Sequence, residues 1–284
     1  LTPALSRQEW VVKLHHLIIL SFAVPALAAG CRGTATLQPV PVEPELAPVR
    51  MLVLAAPAAA ICADGPDLLV LEASGARVLR FDSTFAAVET IPLTERVVGP
   101  RGIAADRFYV YVHDDRTLYR LLKDNPVRVT WMHGVRPVGL AAYAPGEMLI
   151  SDGERAAIWH KALFSESRRF LDAAELARPG ALAALPEGMF AALSGGTGVA
   201  RFNRAGIVVS RQELAEPVDL MAADRQGGLY LARSGRPEVI HLPSDGRGFR
   251  YGFGAGPEPA GLAALPAGIA VLDRDARVLL YRLP

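Results

Sequence analysis

The chain runs to 284 residues, 51% of them hydrophobic, with 30 basic against 29 acidic side chains and a formal charge of +1. So apolar a composition excludes wholesale disorder. So flat a balance excludes a dedicated nucleic-acid binder, an acidic tail or a polybasic membrane patch. Two cysteines, with no CxxC and no Cys/His ligand spacing, exclude a disulfide framework and a structural zinc module.

In chain order, the first element is an address. Residues 17–30 read LIILSFAVPALAAG, carry no charge and follow Lys13, His15 and His16. A charged start, a short apolar stretch and small residues at its end predict a signal peptide over residues 1–30. The stretch is short of the roughly 20 residues that a transmembrane helix needs and contains Pro25. It ends in Leu27-Ala28-Ala29-Gly30-Cys31, which resembles the lipobox of bacterial lipoproteins. The resemblance implies that Cys31 is lipidated and anchors the mature chain in the cell envelope. With Arg32 next, it implies the periplasmic face of the outer membrane or an extracellular site. Over residues 31–48, Pro39, Pro41, Pro44 and Pro48 favour extended geometry and predict a tether.

A repeat follows. An aliphatic anchor flanked by small residues recurs at Ile61, Ile103, Leu140, Leu182, Leu220 and Leu262, at intervals of about forty residues. Each anchor precedes two further strand signals separated by Gly, Asp or Ser turns, as in DLLVLEA (67–73) then RVLRFD (77–82), or EMLISD (147–152) then AIWH (157–160). Most units add a weaker fourth strand, such as VRVTWM (127–132). Four strands per unit, six times over, predict an all-β six-bladed propeller over residues 49–284. Small residues beside each anchor suit an innermost strand crowded at the central axis. The last unit stops after its third strand, so residues 49–56 (VRMLVLAA) are expected to supply the fourth and close the ring.

The run Pro100-Arg101-Gly102-Ile103-Ala104-Ala105-Asp106, continued by Tyr109-Val110 and Leu118-Tyr119-Arg120, resembles the NHL-type propeller repeat. Pro137-Val138-Gly139-Leu140-Ala141 and Pro259-Ala260-Gly261-Leu262-Ala263 repeat its opening. The resemblance implies architecture, with members that serve as binding platforms and, less often, as enzymes.

Catalytic signals are sparse. No GxSxG elbow, phosphate loop or HExxH helix is present, and Gly195-Gly196-Thr197-Gly198 reads as a hairpin turn. Asn125 and Asn203 fall in or after outer strands, so the cation ligands of gluconolactonase-like propellers find no counterpart. Of His113, His133, His160 and His241, only His113 is placed to reach the tunnel mouth, whereas a metal needs three or four convergent ligands. Cys62 reads as a small buried hydrophobe.

The better candidate is the propeller face carrying the loops before each inner strand and those between second and third strands. Arg101, Arg136, Arg178, Glu216 and Glu258 occupy the first set; Asp114, Asp152, Arg155, Arg236 and Asp275 occupy the second. This predicts a face with arginines on one side of the ring and glutamates on the other, held on a rigid scaffold. The expectation is a non-enzymatic, lipid-anchored, monomeric propeller that binds protein or polymer partners of the envelope, without cofactor, metal or nucleic acid. Two alternatives stand beside it: a hydrolase or lyase with a divalent metal at the tunnel mouth, and a small-ligand sensor.

Overall fold

A computed structural model of the chain describes residues 35–36, 41–43, 45–171, 176–244, 247–254 and 256–284. The chain divides after Gly33, and the described residues belong to the unit Thr34–Pro284. The signal peptide and Cys31 lie outside the described residues. The described unit is all-β, with a single 3-10 turn at Pro186–Gly188.

Three strands precede the first repeat: β1 (Ala35–Thr36), β2 (Val42–Glu43) and β3 (Arg50–Val53). Blade 1 is β4 (Ala58–Asp64), β5 (Asp67–Glu72), β6 (Arg77–Phe81) and β7 (Ala87–Pro92). Blade 2 is β8 (Gly102–Ala105), β9 (Tyr109–His113), β10 (Thr117–Leu122) and β11 (Asn125–His133). Blade 3 is β12 (Pro137–Ala144), β13 (Glu147–Asp152), β14 (Ala157–Ala162) and β15 (Arg168–Leu171). Blade 4 is β16 (Pro179–Ala184), β17 (Phe190–Ser194), β18 (Gly198–Phe202) and β19 (Val208–Glu213). Blade 5 is β20 (Leu220–Ala223), β21 (Leu229–Ala232), β22 (Glu238–Leu242) and β23 (Phe249–Gly252). Blade 6 is β24 (Pro259–Leu265), β25 (Gly268–Asp273) and β26 (Arg277–Tyr281), completed by β3.

Closure runs through β3, which pairs antiparallel with β26 from Arg50↔Leu280 to Val53↔Arg277. The Val49 and Leu54 amides extend the pairing by donating to the Leu280 and Ala276 carbonyls. The strand that precedes blade 1 and the last three strands therefore share one sheet.

The core is not one mass but six layers, one between each pair of neighbouring blades. The second strands show why. Successive side chains of a strand point to opposite sides. Leu68 and Val70 of β5 enter the layer between blades 6 and 1, while Leu69 and Leu71 enter the layer between blades 1 and 2. A strand buried on both faces reads as a continuous apolar run, as LLVL does.

Two sequence expectations shift. In the fifth unit the residue equivalent to the other anchors is Met221, not Leu220. Met221 faces Leu231, as Ile61 faces Val70 and Ile103 faces Val112, whereas Leu220 takes the position of Gly102 and Gly261. In the proline-rich stretch expected to be a tether, β1 adds in parallel to β19, and β2 in parallel to β23. Prolines are compatible with a sheet edge because their carbonyls still accept. Pro41 accepts from the Arg250 amide, and the Leu46 amide donates to Gly252.

Candidate functional site

Each inner strand runs from the mouth face to the opposite face and is hydrogen-bonded on one side only. Its other edge borders an axial tunnel. The mouth end holds about 180 Å³, with Arg101, His113 and Asp219 in its wall. The far end holds about 230 Å³ between alanines and aliphatic residues. Ile103, Leu140, Leu182, Met221 and Leu262 border both ends and form the waist. Small residues are needed here because the inner strands are crowded from both sides. A Cβ on Gly139 would lie 2.5 Å from the Gly180 carbonyl oxygen of the next blade, and one on Gly102 would lie 2.3 Å from His113 Nε2 of its own blade.

His113 is buried at the end of β9. Its Nδ1 lies 2.9 Å from the Asp114 carbonyl, which only accepts, so Nδ1 carries the proton and Nε2 is the free acceptor. Burial holds its pKa below the ordinary histidine value, outweighing the pull of Asp114. The mouth therefore carries a neutral imidazole. Among the described residues, no group of three or more His, Cys, Asp or Glu could hold a metal ion.

The loops around the mouth are organised by carboxylates at the ends of second strands. Asp152 is fully buried. Its Oδ1 accepts from the amides of Glu154 at 3.0 Å, Arg155 at 3.2 Å and Arg136 at 3.4 Å. Its Oδ2 accepts from Arg155 Nη1 at 3.0 Å and Trp159 Nε1 at 3.3 Å. Burial pushes this carboxyl up, but these donors bring it below its ordinary value. Asp114 does the same in blade 2, accepting from the amides of Arg116 and Thr117 at 2.8 Å and from the Tyr119 hydroxyl at 2.9 Å. Both residues shape the face from beneath rather than present a free charge on it.

The remaining charges sort into pairs and free ends. Arg101 grips Asp115 with two contacts of 2.8 and 2.9 Å. Glu216 accepts from Arg250 at 3.1 Å, and Glu258 from Arg274 at 3.0 Å. Asp275 accepts from Arg277 at 3.0 Å, and Arg155 is tied to Asp152 and the Gly134 carbonyl. The two-sided arrangement expected from sequence is thus partly neutralised within the face. Arg136 and Arg178 are exposed, stand at the same loop position of consecutive blades, and have no side-chain partner among the described residues. Arg233 and Arg236 are likewise free, as is the carboxylate of Glu154. Arg178 also has a φ of 48°, a left-handed backbone that a non-glycine residue adopts at a cost of about 1 kcal/mol. Asp219, which accepts from the Ser234 amide at 2.7 Å, belongs to the mouth and is absent from the residues expected there. Its only signal was a place just before an inner strand.

No family model and no curated protein matches the chain. Solved structures do resemble it. Virginiamycin B lyase from Staphylococcus aureus superposes with a TM-score of 0.63 at 11% identity, covering 83% of this chain and 99% of that one. A streptogramin B lyase gives a TM-score of 0.59 at 10% identity, covering 83% of this chain and 87% of that one. YCF48 bound to D1 peptide gives a TM-score of 0.58 at 13% identity, covering 83% and 81% of the two chains. These likenesses show the six-bladed propeller fold. Two neighbours named as lyases and one solved with a peptide share it.

Proposed function

We propose that the chain is a lipid-anchored, NHL-type binding propeller of the bacterial envelope that captures acidic segments of partner proteins or polymers at its tunnel-mouth face. The observation that carries this reading is the pair Arg136 and Arg178. They are two exposed guanidiniums left free at the same loop position of adjacent blades, while Arg101, Glu216 and Glu258 at the corresponding loops are paired. Guanidiniums present fixed forks of donors that match carboxylates, and a rigid ring holds them without further ordering. The peptide complex of YCF48 supports a peptide partner for this fold. Cys31 is the proposed lipid attachment point, and the domain works as a monomer without a cofactor.

Crosslinking capture from native membranes tests the face. The charge reversal Arg136→Glu with Arg178→Glu is expected to abolish recovery of acidic partners; unchanged recovery contradicts the reading. Fractionation of Cys31→Ser tests the anchor separately, with release into the soluble fraction expected and retention in the membrane the contrary result.

A second reading, a lyase, is favoured by the virginiamycin B lyase likeness. In that reading the neutral His113 imidazole at the mouth is the candidate proton carrier, and the described residues offer no metal-ligand set beside it. Turnover of virginiamycin B, together with stoichiometric metal in the purified protein, would favour it over the binding platform.

A further inference from the structure

On the face opposite the mouth, a cleft of about 560 Å³ opens between blades 1 and 2. Three turns build it: Gly65-Pro66 between β4 and β5, Asp106-Arg107-Phe108 between β8 and β9, and Lys123-Asp124 between β10 and β11. Arg80 and Glu89 of blade 1 complete the wall. Its volume lies within the range of small-molecule sites.

Most of its charges are engaged internally. Lys123, one of three lysines in the chain, crosses from blade 2 to Asp64 of blade 1 at 2.6 Å and also donates to the Asp106 carbonyl at 2.6 Å. The Asp106 carboxylate accepts from the amides of Phe108, Tyr109 and Gly146 and from the Tyr111 hydroxyl. Arg80 is held by Asp67 at 2.7 Å, with Glu89 at 3.8 Å. Two groups are left over, one of each sign. The Asp124 carboxylate and the Arg107 guanidinium are exposed and have no ion-pair partner among the described residues. Arg107 lies 5.3 Å over the ring of Phe108, itself 45% exposed. An ammonium has three donors, and two of Lys123's are occupied, which leaves one at the cleft.

We propose that this cleft binds a small zwitterion of the amino-acid type. Its carboxylate is taken by Arg107 and the remaining Lys123 donor, its ammonium by Asp124, and its apolar side chain packs on Phe108 and Pro66. A molecule with one charge leaves either Arg107 or Asp124 without its complement, so the site discriminates by the pair. The site is independent of the mouth face and of what that face captures.

The test is calorimetric titration of the full chain with L-phenylalanine, N-acetyl-L-phenylalanine and L-phenylalanine amide. Saturable one-to-one binding of phenylalanine is expected, with each singly charged analogue about tenfold weaker. Arg107→Gln should remove the preference over the amide, and Asp124→Asn the preference over the N-acetyl form. Both residues are exposed, so both variants should melt as the parent does. Arg136→Glu with Arg178→Glu should leave the titration unchanged. Absence of saturable phenylalanine binding, or retention of both preferences in both variants, overturns the proposal.

Discussion

Arg178 combines a free guanidinium with a left-handed backbone, and these two properties make separable predictions. Arg178→Gly relieves a local cost of about 1 kcal/mol, offset in part by the greater freedom of glycine in the unfolded chain. The variant should melt within a few degrees of the parent while capture of acidic partners falls. Loss of folding would show that the side chain serves the structure instead. His113 predicts a pH dependence. Its pKa in the fold lies below the ordinary value, so stability is complete above about pH 6.5, where the unfolded chain is also neutral. It falls as the pH drops from there towards the folded pKa, because only the unfolded chain gains the proton. Thermal melts between pH 7 and 5 should show this decline, and His113→Gln should flatten it. At this scale the sequence was a partial guide. The exposed loop positions of Arg136 and Arg178 were legible, but the burial of Asp152 was not, because a turn-forming Asp reads the same whether its carboxylate faces solvent or a ring of amides. The one-residue shift from Leu220 to Met221 was equally hidden, since both are apolar and only the pairing with β21 separates them.

At the scale of elements, β3 bears the closure. Deleting residues 49–56 removes the outer strand of blade 6 and takes Leu54 from the layer between blades 6 and 1. The expected outcome is loss of cooperative thermal unfolding; a deletion that melts with unchanged stability contradicts closure through β3. Second strands should be the most sensitive to truncation. Leu68→Ala, at a position with no solvent exposure, is expected to cost about 3 kcal/mol in denaturant unfolding. The same change at exposed Val88 should cost less than about 0.5 kcal/mol. The blades were legible because alternation and turn residues recur with them. The parallel additions of β1 and β2 were not. Two-residue pairings leave no periodicity, and a proline-rich stretch looks alike whether it spans solvent or lies along an edge.

At the scale of the whole molecule, six interblade layers hold a rigid ring whose two faces differ. One gathers free arginines around a tunnel mouth; the other carries the cleft between blades 1 and 2. The ring was legible from the repeat, since six units of about forty residues each carry the same anchor and strand signals. The cleft was not, because its lining comes from turns and strands scattered between Ala63 and Asp124 and forms no motif. Long-range steering by exposed guanidiniums fades beyond a Debye length of about 8 Å at physiological salt, so capture at the mouth should weaken as salt rises. The most direct measurement is the affinity of a polyglutamate peptide for the full chain and for Arg136→Glu with Arg178→Glu across a salt series. The parent is expected to bind more tightly by at least about tenfold at low salt, with the difference shrinking as salt increases. Equal affinities with equal salt dependence would contradict capture by Arg136 and Arg178.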